Sequence, residues 1–398
     1  MKKIVAIILM LVISLTACGN IDNSKEEITG KYENSVTGGI WLSFSEINSI
    51  LKSDDIEEQI EQVASNCKDL DIKDIYIHTV SYCDAIYKSK IYPQTANSKV
   101  VEFDVLEKFI DIFHKNEIRV HAWINPYRVS TTHSEPDKLD EKSIVRKWLN
   151  DEDKGNDSNV SLYNGIYLNP SSEQVRQFIT SAITEICENY EVDGIHFDDY
   201  FYPTTDIEFD KTSYEEYISG AESPLSLADW RRANVNILIS DCYDTIKEID
   251  ENIEFSISPT ADIKKNYNEL YADVEYWIES GYVDSIIPQL YFGFSYPDKA
   301  YRFENLLEEW VSLSKKNSQV DLLIGLATYK IGTTAEPDNE EWQRYEDIIA
   351  RQAEICYNNS FVKGFVLFSY SSAFSSELLN VSQTENLKVK LSSFKGAE

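Results

Sequence analysis

Glycine and proline are scarce in this chain of 398 residues, at 14 and 10. With 42% apolar and 12% aromatic residues, that scarcity excludes a collagen-like or globally disordered polymer and leaves a globular protein with a sizeable core. Positive charge is short as well: 37 Lys and Arg stand against 68 Asp and Glu, a net charge of −31. Such a field repels phosphate backbones, so no nucleic-acid partner is expected. An anionic ligand needs a local basic patch, for which Arg128, Arg231 and Arg232 are the candidates. Cysteine is sparse and scattered. Beyond Cys18 there are five, Cys67, Cys83, Cys187, Cys242 and Cys356, with no C-x-x-C pair, which argues against a structural zinc site or a disulfide framework. Cys67, Cys187 and Cys356 fall on helical patterns and read as small core fillers. The G-x-S-x-G, H-E-x-x-H and P-loop motifs are all missing, so neither a metal nor a cofactor is expected.

What is present begins with "MKKIVAIILMLVISLTACGN". Two lysines, a short apolar run from Ile4 to Ile13 and then Leu15-Thr16-Ala17-Cys18 read as a lipoprotein signal peptide over residues 1–17. The run is too short for a span, which needs about 20 apolar residues. Cleavage before Cys18 and acylation of its sulfur are expected, which places the rest of the chain outside the cytoplasm, lipid-anchored to the cell membrane or to an outer membrane. Residues 18–37 are polar and aperiodic, a tether, and residues 38–398 form one domain.

From Gly38 onward, strand-like runs alternate with stretches of helical period. The strand-like runs cover 38–44, 74–80, 119–125, 194–200, 254–259, 285–291, 322–328 and 364–370, and the helical stretches include 56–70, 103–117, 172–190, 228–249, 267–280 and 340–359. Eight such βα units predict an α/β fold, a closed (β/α)8 TIM barrel. An open doubly wound sheet is the rival, but "WLSFSEINS" after the first strand carries no glycine for a phosphate-binding turn. In a barrel the chemistry collects at the C-terminal strand ends. Polar candidates there are Ser43, Glu46, His78, Asp84, Asn125, Arg128, Asp198, Asp199, Ser258, Asp262, Gln289 and Ser369. Rings at or just beyond those ends are Trp41, Trp123, Tyr127, Tyr200, Tyr202, Tyr291 and Phe292, flat apolar faces with polar tips that suit sugars as a cluster.

The fourth strand, in "VDGIHFDDYFYP", carries the strongest chemical signal. Alternation puts His196, Asp198 and Tyr200 on one face and Ile195, Phe197 and Asp199 on the other. Asp198 then points at the floor of the cup, and Asp199 reaches over it only if the strand is ending. His196 and His121 lie earlier on their strands and read as hydrogen-bonded lumen residues. Two neighbouring carboxylates in a partly desolvated cup cannot both ionise freely, so one keeps a proton while the other keeps its charge. Glycosidic cleavage uses that division: an acid protonates the leaving oxygen and a carboxylate stabilises positive charge. A solvated loop pair, a helix cap and a hard-cation site are the competing readings.

At "GIWLSF", "DAIYKSKIYP", "VHAWINPYR", "YLNPSSEQVRQFI", "VDGIHFDDYFYP", "DWRRANVN", "FSISP" and "VDSIIPQLYF" the sequence resembles the glycosyl-hydrolase-like 10 family, from about Gly38 to about Ser371. The resemblance implies a TIM-barrel bacterial surface protein, often a lipoprotein, that cleaves cell-wall glycan stripped of its peptides. The family's motifs fall here on Asn125, Arg128, Asp198, Asp199, Trp230, Arg231, Gln289 and Tyr291. One departure stands out: where the family usually has Gln-Val-Arg at the end of strand two, this chain has His78-Thr79-Val80. "VDGIHFDDY" is also similar to the acidic strand of family 18 chitinases, with Asp193, His196 and Asp198 aligned to its acids and Tyr200 in place of its catalytic glutamate. Adjacent acids here also look like those of N-acetylglucosaminidases that use the substrate's own acetamido group.

These readings converge on a glycoside hydrolase for N-acetylated, peptide-free cell-wall glycan. Asp198 is expected to hold the acetamido group and Asp199 to act as general acid/base, with reversed roles open. His78, Asp84, Trp123, Asn125, Arg128, Tyr200, Tyr202, Trp230, Arg231, Gln289 and Tyr291 are expected to bind the sugar, Arg128 or Arg231 holding an anionic group such as a lactyl carboxylate. The alternatives are a non-catalytic surface carbohydrate-binding protein and, more weakly, a metal-dependent deacetylase.

Overall fold

The computed structural model describes residues 36–334, 337 and 339–395. The expected signal peptide, the lipidated Cys18 and all but the last two residues of the expected tether lie outside the described residues. Eight parallel strands close into a barrel in simple sequence order: β1 (Thr37–Leu42), β2 (Ile72–Val80), β3 (Arg119–Ile124), β4 (Gly194–Phe197), β5 (Glu254–Ile257), β6 (Ser285–Ile286), β7 (Asp321–Leu326) and β8 (Val362–Leu367). Each falls within one residue or two of the start of an apolar run in the sequence. The expected (β/α)8 barrel is therefore the fold. β6 is shorter than its run because Pro288 has no N–H to donate; the chain keeps only isolated bridges from Gln289 to Thr260 and Gly325.

The outer ring forms because each long helix buries one apolar stripe against the strands. On α1 (Ile56–Asp69) that stripe is Ile60, Val63, Ala64 and Cys67; on α2 (Val105–Lys115) it includes Leu106, Phe109, Ile110 and Phe113. Starts are set by side-chain caps: Asp55, Asp104, Ser172 and Ser226 each accept a backbone N–H from the first turn of α1, α2, α3 (Glu173–Asn189) and α4 (Leu227–Ile249). The stretches 267–280 and 340–359 each break in two. Tyr271 takes a positive φ of 54° and Asp273 then caps a fresh helix, Val274–Ser280. The second stretch stops at Arg344 and resumes at Ile348. Helices Phe303–Ser314 and Leu378–Lys395 add to those expected. Cys67, Cys83, Cys187, Cys242 and Cys356 are all buried and free.

Inside the barrel, Trp41, Tyr76, Trp123, Ile287, Leu323 and Val366 form a separate apolar cluster. Polar lumen groups thread it. His121 Nε2 lies 2.9 Å from Asp74 Oδ1, and Arg119 pairs with the same oxygen. The Trp41 indole N–H donates to His196 Nε2 at 3.1 Å, which leaves the imidazole proton on Nδ1 to donate to Ser256 Oγ at 2.8 Å. Both histidines are thus hydrogen-bonded lumen residues. Gly194 is required beside His121: a Cβ there would sit 2.3 Å from His121 Nδ1 and 2.9 Å from the Glu254 carbonyl oxygen. Gly194→Ala is accordingly expected to cost about 1–3 kcal/mol through forced displacement of the imidazole, read by denaturant unfolding.

Between β3 and β4 the chain inserts a small antiparallel sheet in the order 128–130, 166–168, 160–161, which the sequence reading did not include. Arg128 pairs with Tyr167 across it, so the sheet fixes the backbone that carries Arg128.

Candidate active site

β4 ends at Phe197, and that termination decides the geometry of the acidic pair. Once the ladder stops, alternation no longer forces Asp199 outward, and both Asp198 and Asp199 line one cavity of about 480 Å3 at the C-terminal ends of the strands. Asp198 is 3% exposed and Asp199 half-buried, so the first forms the floor and the second faces the mouth. Asp198 Oδ2 accepts the Trp123 indole N–H at 3.2 Å, and Oδ1 accepts the Tyr200 backbone N–H at 3.1 Å. Each oxygen has one protein donor and a lone pair to spare.

Burial, and then the neighbouring Asp199 charge, push the Asp198 carboxyl up to about 8, against a smaller downward pull from Arg128. Asp199 is also raised by burial, opposed by its own backbone, Gln289 and Arg128. Both shifts favour a proton kept by the pair at neutral pH, and depth favours Asp198 as its carrier.

A consequence follows for stability. Asp198 binds its proton more tightly in the folded chain than in the unfolded one, so this contribution is fully present below the ordinary carboxyl range near pH 4. It is lost as pH rises through about 8. Asp198→Asn removes the dependence. Relative to the native protein the variant is expected to gain on the order of 1–3 kcal/mol between pH 5 and pH 8, measured by parallel denaturant titrations.

Three aromatic walls surround the pair. His78 stacks on Trp123 at 3.8 Å and 7°, with Phe44 edge-on at 6.1 Å; neither ring nitrogen of His78 has a partner among the described residues. Burial, then Arg128, hold this imidazole well below its usual range, so it is neutral. Tyr291 stacks on Phe368 at 5.7 Å, and Tyr329 meets both edge-on. Tyr200, about half exposed, lies beneath the Arg128 guanidinium, 3.3 Å from its ring centroid. Arg128 is the one lysine or arginine lining the cavity, and Asp198 is the carboxylate whose charge acts most strongly on it. Gln289 donates from Nε2 to the Ser258 carbonyl at 2.9 Å, which fixes its amide beside Asp199.

The structure thus gathers His78, Trp123, Arg128, Asp198, Asp199, Tyr200, Gln289 and Tyr291 around one cavity. It does not bring the other five expected residues there. Arg231 is fully buried, its Nε donating to Asp210 Oδ2 at 3.0 Å and its other nitrogens to the Thr204 and Asp206 carbonyls and the Tyr271 hydroxyl. The guanidinium ties the loop after β4 to α4, and it cannot also hold an anion in the cup. Tyr202 is buried against Phe209 and Tyr271 in the same tie. Asn125 is buried behind the rim, donating to the Ser81 carbonyl at 3.3 Å. Asp84 accepts the Tyr82 N–H at 3.2 Å outside the cavity, its carboxyl raised to about 6 by burial. Trp230 lines a different groove.

Phe44 and Phe368 were not expected in the wall; for Phe368 the signal lies in strand alternation, two residues after the lumen-facing Val366. Glu46, a polar strand-end candidate, is committed elsewhere: it accepts the Ser43 N–H at 2.6 Å, the Ser369 hydroxyl at 2.7 Å and the Ser371 N–H at 2.6 Å, joining the ends of β1 and β8. Asp198 and Asp199 are the two carboxylates lining the cavity. Among the described residues, no three His, Cys, Asp or Glu side chains gather so as to hold a metal ion.

Comparison with known proteins agrees with this geometry. Residues 37–344 match the model of the family described as glycosyl hydrolase-like 10. The chain is 34% identical over 315 residues to the glycosyl hydrolase YngK of Bacillus subtilis, covering 72% of this chain and 58% of that protein. It is 30% identical over 364 residues to the glycosyl hydrolase DigH of Escherichia coli K12, covering 79% of each. The chain thus spans little more than half the length of one relative and most of the other. Among solved structures, the PgaB (BpsB) glycoside hydrolase domain from Bordetella bronchiseptica superposes with a TM-score of 0.57 at 12% identity, over 89% of this chain and 99% of that one. An α-L-fucosidase from Paenibacillus thiaminolyticus gives 0.56 at 10% identity, over 91% and 50%. At these identities the likeness is one of fold. Family, relatives and fold together support a glycosidase with a carbohydrate substrate, and the chain belongs to the glycosyl hydrolase-like 10 family.

Proposed function

We propose that this protein is a retaining glycoside hydrolase that cleaves N-acetylated, peptide-free bacterial cell-wall glycan with the help of the substrate's acetamido group. The observation that carries the reading is the adjacent pair Asp198 and Asp199, both on the wall of one aromatic cavity and both shifted in favour of a shared proton at neutral pH. An incoming acetamido N–H donates to Asp198 and stabilises its charged form, which leaves the shared proton on Asp199. Asp199 gives that proton to the glycosidic oxygen as the C1–O bond breaks, while the acetamido carbonyl oxygen bonds to C1. Water, deprotonated by Asp199, then opens the resulting ring and restores both carboxyls with retained configuration at C1. The walls formed by Tyr291 with Phe368 and by Trp123 with His78 supply ring faces for the sugar.

Arg128 supplies the discrimination. Stacked on Tyr200 and lining the cavity beside Asp198, it suits a lactyl carboxylate within an otherwise acidic protein. Arg128→Gln is expected to raise KM for lactyl-bearing strands about tenfold and leave a plain N-acetylglucosamine oligomer unaffected, checked by steady-state kinetics on both. A lipid on Cys18 belongs to the same proposal, since it would hold the barrel outside the cytoplasm, beside the wall. Incubation of the purified protein with peptide-free glycan strands, followed by mass spectrometry, tests the function: new saccharide products are expected. Binding without product, unchanged by Asp199→Asn, would instead mark a carbohydrate-binding protein.

A further inference from the structure

Trp230, expected at the cup, lies on a second concavity of about 600 Å3 bordered by the first turns of α3 and α4. Trp230 and Tyr217 stack there at 5.7 Å and 27°, and Tyr214 packs on them at 5.2 and 6.2 Å. Trp230 itself is buried at 6% exposure, so the accessible ring faces are those of the half-buried Tyr214 and Tyr217. Beside the rings runs a neutral rim of Ser172 and Gln174, held in place by the buried Asn159, whose Nδ2 donates to Gln174 Oε1 at 2.6 Å and whose Oδ1 accepts from Ser172 Oγ at 2.6 Å. Ile237, 42% exposed, continues the apolar side. Aromatic faces flanked by preorganised amides and hydroxyls match a pyranose, which offers C–H faces and equatorial hydroxyls. The groove is lined by Glu173 and Glu216 and by no lysine or arginine, so it disfavours anionic sugars, the opposite of the cup with its Arg128.

The two concavities share one scaffold. Arg128 at the cup pairs with Tyr167, Leu168 pairs with Val160, and Asn159 of the groove immediately precedes Val160. Two inter-strand spacings of about 4.8 Å therefore separate the strand of Arg128 from the strand that leads into the groove. We propose that this groove is a second carbohydrate-binding site, which holds an uncharged N-acetylglucosamine unit of the same glycan strand that occupies the cup. The inference rests on the reading of the cup as a glycan-cleaving site, and deepens it: the preferred substrate is a long strand.

The test uses the full chain and two probes, long peptide-free glycan strands and the β-1,4-linked tetramer of N-acetylglucosamine. Ile237→Arg projects a long side chain into the groove from an exposed position, and Tyr217→Ala removes part of the stack. Each is expected to weaken retention on long strands about fivefold to tenfold, the loss of roughly one stacked ring, while kcat/KM on the tetramer stays within twofold of the native value. Strand retention unchanged in both variants, or tetramer hydrolysis reduced in parallel with it, would overturn the groove. The two readings fail separately. If the native protein cleaves neither probe but Ile237→Arg still loses strand retention, cleavage is wrong and the groove stands; if the native protein cleaves both and the variants bind strands as it does, the groove is wrong and cleavage stands.

Discussion

Asp199→Asn is expected to lower kcat on peptide-free glycan by about 10³-fold with KM little changed, and Asp198→Asn by about 10²-fold or more, each measured by product release at saturating strand concentration. The asymmetry follows from position. Asp199 faces the mouth of the cavity beside Gln289, where a leaving oxygen can be reached, and an amide there can neither give nor take the proton. Asp198 lies deeper and, in the proposed mechanism, accepts the acetamido N–H. In Asp198→Asn the amide oxygen still accepts, but it brings no charge to stabilise the cationic ring that forms as C1 is attacked. An asparagine keeps only one of the two acceptor oxygens that now take the Trp123 indole N–H at 3.2 Å and the Tyr200 N–H at 3.1 Å, so the loss combines charge with one displaced hydrogen bond. Equal activity in both variants and the native protein would remove the pair from the chemistry.

The second large effect concerns stability. Asp210→Ala is expected to destabilise the fold by about 3–5 kcal/mol, seen as a lower denaturant midpoint, because it strands the Arg231 guanidinium as an unpaired buried charge. Arg231 is fully buried, and its remaining acceptors are two backbone carbonyls and one tyrosine hydroxyl, none of which carries charge. The loop 199–210, which begins with Asp199 on the cavity wall, is fastened through this pair to α4. Activity is therefore expected to fall along with stability in Asp210→Ala. The double change Arg231→Met, Asp210→Leu, which removes both charges, is expected to recover most of the stability. Were Arg231 a substrate ligand, Asp210→Ala would weaken binding without lowering the midpoint.

The barrel was legible because its order is mostly local: the strands are apolar runs rich in Ile, Val, Leu, Phe and Tyr, and successive strands pair in order, with the closure of β1 on β8 following from the count of eight. The helix Phe303–Ser314 was equally legible in principle, since Phe303, Leu306, Leu307, Trp310 and Val311 repeat at helical spacing. The acidic pair could be placed at the cup from alternation, but the turn of Asp199 into the cavity depended on where β4 stops. The misplaced residues share one cause. All five sit in runs that carry the family resemblance; Asp84, Asn125 and Tyr202 lie beyond strand ends, where period gives no direction, and Trp230 and Arg231 lie on α4. Arg231 was read as an anion ligand because its partner Asp210 lies 21 residues away, and nothing in the sequence announces a buried pair across a loop. The small sheet of residues 128–130, 160–161 and 166–168 escaped for a related reason: strands of two or three residues have too few positions to show alternation.

The central claim is that Asp198 and Asp199 cannot both be charged at neutral pH, and it can be read without any substrate. In protein labelled with carboxyl-13C aspartate, the Asp198 resonance, assigned by its loss in Asp198→Asn, should titrate with a midpoint near 8 and respond to Asp199→Asn by moving downward. A midpoint for Asp198 in the ordinary carboxyl range near 4, unmoved by Asp199→Asn, would contradict the account.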